Sequence, residues 1–100
     1  MFQERSIQQI RPGKWPELEA LNEKYNAIEG RLGFPPRRRF RCYFGGHHTN
    51  TLVIEREWDS LAVMEATYMR AFMDPEWQAL DAERERIAEG EQVELYLALP

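Results

Sequence analysis

The two histidines of the chain, His47 and His48, are adjacent and follow two glycines. Neighbouring histidines on such a loop hold one metal only with a third ligand, and the pattern places no acidic residue beside them, so no metal site is expected. A proton-shuttling role, with His48 as the candidate, would suit them better, and a plain loop or a partner contact accounts for both without chemistry. Cys42, the single cysteine, alternates with Phe40 and Phe44, the pattern of a buried, inert thiol rather than a nucleophile. It has no partner for an intramolecular disulfide, which points to a reducing, cytoplasmic setting.

Tyr43 and Tyr96 pair an apolar body with a polar tip and are candidate ligand contacts. Arg41, on the same face as Tyr43, could stabilise an anion, and Glu55 or Glu57 could pair with it. Trp58 could stack on a ligand, but anchoring a helix on a sheet needs no further assumption. Tyr25 and Tyr68 fall on apolar helix stripes and read as core. The run Arg37-Arg38-Arg39 could touch a phosphate, yet a formal charge of −4 opposes the positive field that nucleic acids and anionic membranes require. A solvated strand entrance is the simpler account. No nucleophile–base pair, metal set or phosphate loop is recognisable, so no cofactor is expected.

Elements must position these groups. With 43% apolar and 30% charged residues over 100 positions, one domain covering residues 1–100 is expected, with a core of modest size. Met1 to Ile10 reads as a strand in which Phe2 and Ile10 share one parity and Ile7 takes the other, so a bulge is expected there. After the turn Arg11-Pro12-Gly13-Lys14, Pro16 suits the first turn of a helix. Leu18, Leu21, Tyr25, Ile28 and Leu32 form its stripe, Glu17, Glu19, Glu23, Lys24 and Glu29 lie elsewhere, and Gly33 closes it.

From Arg39 the residues alternate, Phe40, Cys42 and Phe44 on the face assigned to the core and Arg39, Arg41 and Tyr43 on the other. A loop over 45–50 joins this strand to Leu52, Ile54 and Trp58 facing one side and Val53, Glu55 and Glu57 the other, as a hairpin. Asp59 or Ser60 can cap a helix with Leu61, Met64, Tyr68, Ala71 and Phe72 on its stripe. Asp74-Pro75 restarts it, and Trp77, Leu80, Arg84 and Ile87 mark one face of a third helix ending at Gly90. Val93, Leu95, Leu97 and Leu99 then alternate with polar residues as a final strand.

The order is βαββααβ. The expected fold is α+β and ferredoxin-like, a four-stranded antiparallel sheet with helices on one face. The other face would carry Arg39, Arg41, Tyr43, Val53, Glu55, Glu57, Glu94, Tyr96 and Ala98. Water could cover it, as on many antiparallel sheets, or a second subunit could. No apolar run approaches the length of a membrane span.

Pro12-Gly13-Lys14 after the first strand, Trp58-Asp59-Ser60-Leu61 at a strand-to-helix junction and Asp74-Pro75-Glu76-Trp77 at the helix break, in this order and spacing, resemble the NIPSNAP family. The resemblance implies a dimeric α/β barrel, two ferredoxin-like subunits packed sheet to sheet. The wider superfamily includes antibiotic-biosynthesis monooxygenases and haem-degrading enzymes, with a pocket between sheet and helices. A homodimer through the sheet face is thus the expected assembly. The family's biochemical role is undefined, so the expected function is a small-ligand-binding or interaction module. The alternative is a cofactor-independent monooxygenase acting on an aromatic substrate, served by Arg41, Tyr43, Tyr96 and His48. A haem-degrading version would need a histidine on a helix, and neither histidine falls on one.

Overall fold

The computed structural model describes residues 1–100. The elements are β1 (Phe2–Ile10), α1 (Trp15–Leu32), β2 (Arg38–Arg41), β3 (Thr51–Trp58), α2 (Leu61–Phe72), α3 (Pro75–Arg84) and β4 (Ala88–Leu97). The strands form one sheet in the order β2-β3-β1-β4, with every neighbour antiparallel. This is the ferredoxin-like order, with all three helices against one face.

Local chemistry sets the helix ends. Gly33 takes φ 87°, a left-handed cap that a side chain would strain, and the backbone N–H there donates to the Glu29 carbonyl. Ser60 accepts from the Val63 N–H at 3.1 Å and starts α2. Asp74 accepts from the N–H groups of Glu76 and Trp77 at 3.0 and 3.1 Å, and Pro75 opens α3 behind it. The α1 stripe is buried as expected, against Ile10, Leu52, Ile54 and Trp58 of the sheet. Each large apolar side chain buried there contributes about 1.5–3 kcal/mol.

The structure differs from the sequence expectations at four places. In β2, Arg39 lies across from Ile54 and Arg41 across from Leu52, so these arginines face the helices, and Phe40, across from Val53, faces the open side. The alternation was legible but its sense is inverted, because β2 is an edge strand whose long arginines reach along the flank of α1 rather than into it. Arg39 makes a two-pronged contact with Glu19 at 3.0 and 2.9 Å, and the Arg41 guanidinium stacks on Trp15 at 4.3 Å. The strand also ends at Arg41: Cys42 is only half-buried, its thiol on the His47 carbonyl at 3.2 Å, and Tyr43 and Phe44 are exposed.

The bulge lies in β4, not β1. Gln8 pairs with Glu91 and Gln9 with Glu89, which leaves Gly90 as the extra residue at φ 67°. Accordingly α3 stops at Arg84, and Gly90 belongs to the strand. Val93, Leu95 and Leu97 do face the helix side, but they are exposed, since β4 is the other edge and the helices do not extend over it; Leu99 lies beyond the strand. Finally, Glu29, expected in solvent, is buried on α1.

Candidate functional site

The buried polar residues are concentrated on the helix-facing side of the sheet. Glu4 and Gln8 of β1 and Arg56 of β3 share the parity of Ile10, Leu52, Ile54 and Trp58, and are buried with them. Glu29 of α1 completes the group. Burying carboxylates and guanidinium groups is costly unless they are paired. Here they are: Arg56 donates to Glu29 at 2.9 Å and its Nε lies 3.6 Å from Glu4, while Glu4 accepts from the Trp58 indole at 2.9 Å and the Tyr68 hydroxyl at 2.6 Å. Arg37, just before β2, lies 3.7 Å from Glu29 and donates to Asn22.

Beside this cluster is a cavity of about 360 Å³ between the sheet and the helices. Leu18, Leu21, Leu52 and Ile54 line it together with the rings of Tyr25, Tyr68, Phe72 and Trp77, and Glu4, Glu29, Arg37, Arg39 and Arg56 supply charge. Its size is that of pockets that take small organic molecules, roughly 300–1,000 Å³. Phe72 and Val93, both exposed, line its open side, where Ser6 donates to Glu91 at 2.7 Å and Gln8 at 3.1 Å. The ring wall is stiff: Phe34 stacks on Trp77 with centroids 5.1 Å apart and meets Tyr68 edge-on at 5.1 Å, and Tyr25 meets Trp77 edge-on at 5.3 Å.

Electrostatics follow from burial. The Tyr25 hydroxyl is pushed up well beyond its ordinary value, first by burial and then by Asp81. Tyr68 moves the same way, by burial and by the adjacent Glu4 carboxylate. Arg37 is lowered, first by burial, which the pull of Glu29 opposes and repulsion from Arg56 and Arg39 reinforces. Glu19 is held below the usual carboxylate range by its hydrogen bonds from Arg39. Both tyrosines therefore remain protonated donors at neutral pH.

Of the residues the sequence suggested, Trp58 is a buried anchor held by Glu4 and does not line the cavity. Arg41 sits at the sheet edge, donating to the Thr49 carbonyl and Asn50. Tyr43 projects from the hairpin loop, and His48 caps that loop by accepting from the Asn50 N–H at 3.1 Å. Glu55 and Tyr96 do lie on the open sheet face. These six side chains do not converge on one site. The cavity residues Tyr25, Tyr68 and Arg37 were read as core or solvated surface, and Glu4, Glu29 and Arg56 were given no role. The available signal was parity: Glu4 and Arg56 are charged residues at positions whose neighbours two apart are apolar, and Glu29 stands four residues after Tyr25 on the same stripe.

No family profile and no curated protein sequence matches the chain. Solved structures do. A NIPSNAP family protein from Agrobacterium tumefaciens str. C58 superposes with a TM-score of 0.84 at 21% identity, covering 98% of this chain and 92% of that one. The fold is that of NIPSNAP proteins. An uncharacterized NIPSNAP domain protein from Burkholderia xenovorans gives 0.77 at 20% identity over 99% and 95% of the two chains. SnoaB, a cofactor-independent oxygenase from Streptomyces nogalater, gives 0.70 at 15% identity over 97% and 91%. Solved structures of similar fold thus include a protein of unknown function and an oxygenase. No helix is long and apolar enough to cross a membrane.

Proposed function

We propose that this protein is a small-molecule-binding module whose ligand occupies the cavity between sheet and helices, and that it works as a cytoplasmic homodimer. The observation that carries the reading is the cavity itself: about 360 Å³ walled by aromatic rings, beside a buried cluster of paired charges. Such rigid, mostly apolar hollows with a few convergent polar groups are the usual form of a binding site. A screen of small organic fragments, read by amide chemical-shift changes, tests it. Shifts clustered at Leu21, Tyr25 and Trp77 are expected; if no fragment moves them, the cavity is only loose packing.

Two rows across the open sheet face support the dimer. Phe40, Val53 and Ile7 stand side by side on β2, β3 and β1, and next to them run Arg38, Glu55, Arg5 and Glu94 in alternating sign across all four strands. Turned over against a second copy about an axis along the strands, the charged row reverses, so Arg38 meets Glu94 and Glu55 meets Arg5. A two-fold interface must be self-complementary in this way. Light scattering across a dilution series is expected to give twice the chain mass, and Phe40→Glu to give a monomer.

The likeness to SnoaB favours one second reading, oxygenation of an aromatic substrate without a cofactor. A monooxygenase inserts one atom of dioxygen and reduces the other to water with electrons from the substrate. Substrate-dependent oxygen uptake that Tyr25→Phe abolishes would select it over simple binding.

A further inference from the structure

The cavity carries an unusual surplus of donors. Arg37 Nε, Arg39 Nε and Arg56 Nη1 are buried and make no protein hydrogen bond, the Tyr25 hydroxyl meets no partner at full hydrogen-bond distance although Arg84 approaches it, and all four residues line the same cavity. Tyr25 and Arg56 are more than nine-tenths buried, as is the Arg37 side chain. A buried polar group without a partner is costly, so four on one cavity point to something that supplies acceptors. Guanidinium nitrogens can only donate. The tyrosine is locked in its protonated form, so it too offers a hydrogen where the ligand brings a lone pair.

We propose, building on the binding reading above, that the ligand is a flat organic carboxylate whose two oxygens are held by Arg37, Arg56 and Tyr25. A planar carboxylate matches the fork of a guanidinium, and such charge-assisted bonds are the strong class. The donors favour a carboxylate over a neutral carbonyl: the free positions can only give hydrogens, and a carboxylate offers two acceptor oxygens where a carbonyl offers one. Formal charge at the inner end is balanced, Arg37 and Arg56 by Glu29 and Glu4 and Arg39 by Glu19 at the surface, so what remains unsatisfied there is donor capacity and not charge. At the open side Arg84 is matched by Asp81 at 3.1 Å, and the Glu91 carboxylate takes its hydrogen bonds from Ser6 and Gln8, so it does not compete for the free donors of Arg37, Arg56 and Tyr25. The apolar part of the ligand would lie against Tyr68 and Trp77, whose rings fix a flat slot.

The test compares 2-naphthoate with 2-naphthamide, which has the same shape but replaces one oxygen with a donor. Titration calorimetry on wild type, Tyr25→Phe, Arg37→Gln and Arg86→Gln is the measurement; Arg86 is exposed and away from the cavity, so its variant controls for overall charge. Arg56 is left intact because its loss would threaten the fold. The expected result is binding of the naphthoate at least about tenfold tighter than the naphthamide, weakened roughly tenfold by Tyr25→Phe and by Arg37→Gln but not by Arg86→Gln. Equal affinity for both compounds, or naphthoate binding indifferent to Tyr25→Phe and Arg37→Gln, overturns the carboxylate assignment while leaving cavity binding in place. No naphthoate binding at all overturns the assignment too, and the fragment screen then decides separately whether the cavity binds anything.

Discussion

Arg56→Met tests the buried charge cluster most directly. Methionine retains the bulk of the arginine stem but removes the charge that lies 2.9 Å from Glu29 and 3.6 Å from Glu4, and the cation over the Phe34 ring at 4.8 Å. Glu4 and Glu29 are 7% and 5% exposed, so little water reaches either carboxylate. Breaking such a pair from one side costs about 3–5 kcal/mol, since it strands a buried charge. A domain of this size has about 5–15 kcal/mol in total, so the loss is between about a fifth and all of it. Urea unfolding followed by tryptophan fluorescence and far-UV circular dichroism reads the change. Adding Glu29→Met returns the cluster to one charge of each sign, Glu4 and Arg37. The double variant should therefore lose less than the sum of the single losses, by about 1–3 kcal/mol of coupling. A cost below about 1 kcal/mol for Arg56→Met, or strict additivity in the cycle, would show that these carboxylates reach solvent and that the cluster is not a dry one.

Tyr25→Phe removes a buried hydroxyl with no protein partner, so the ligand-free protein should gain up to about 1 kcal/mol, or a few degrees in Tm, instead of losing stability. A clear drop in Tm would reveal a hydrogen bond to that hydroxyl. The Asp74 carboxyl is held below the ordinary carboxylate range by the N–H of Trp77 and by Arg31 at 2.9 Å, so its stabilisation is complete above that range and fades as pH falls through its lowered value. Asp74→Ala should therefore lower Tm at pH 7, with the gap to wild type closing in acid, and Asp74→Asn should retain part of the cap. Gly90→Ala meets open space but must adopt φ 67°, so it should cost about 1–2 kcal/mol in urea unfolding; a neutral result would mean that the bulge shifts to another residue.

The fold was readable from the chain because its signals are local and strong. The α1 stripe recurs every three or four residues, Gly33 supplies a left-handed stop, and Asp74-Pro75 breaks one helical stretch into two with a cap that needs no tertiary partner. β4 shows clean alternation, and its sense was right. The site was far less readable. Parity placed Leu52, Ile54 and Trp58 inward and so placed Arg56 inward as well, but a charge at a core position makes sense only when its partners are known. Those partners, Glu4 and Glu29, lie 52 and 27 residues away along the chain.

The sequence by itself determined the element order, the helix boundaries set by caps and glycine, and the apolar faces of α1 and β3, because each depends on residues within a turn or a strand of one another. Only the tertiary structure decided which way β2 faces, since an edge strand takes its sense from the register with β3 and from what α1 offers to long arginine side chains. It alone decided that Gly90 is a bulge and not a helix end, through the pairing of β4 with β1. And it alone assembled the cavity, because Tyr25, Arg37 and Arg56 come from a helix, a connection and a strand that the sheet and its helix layer bring around one space.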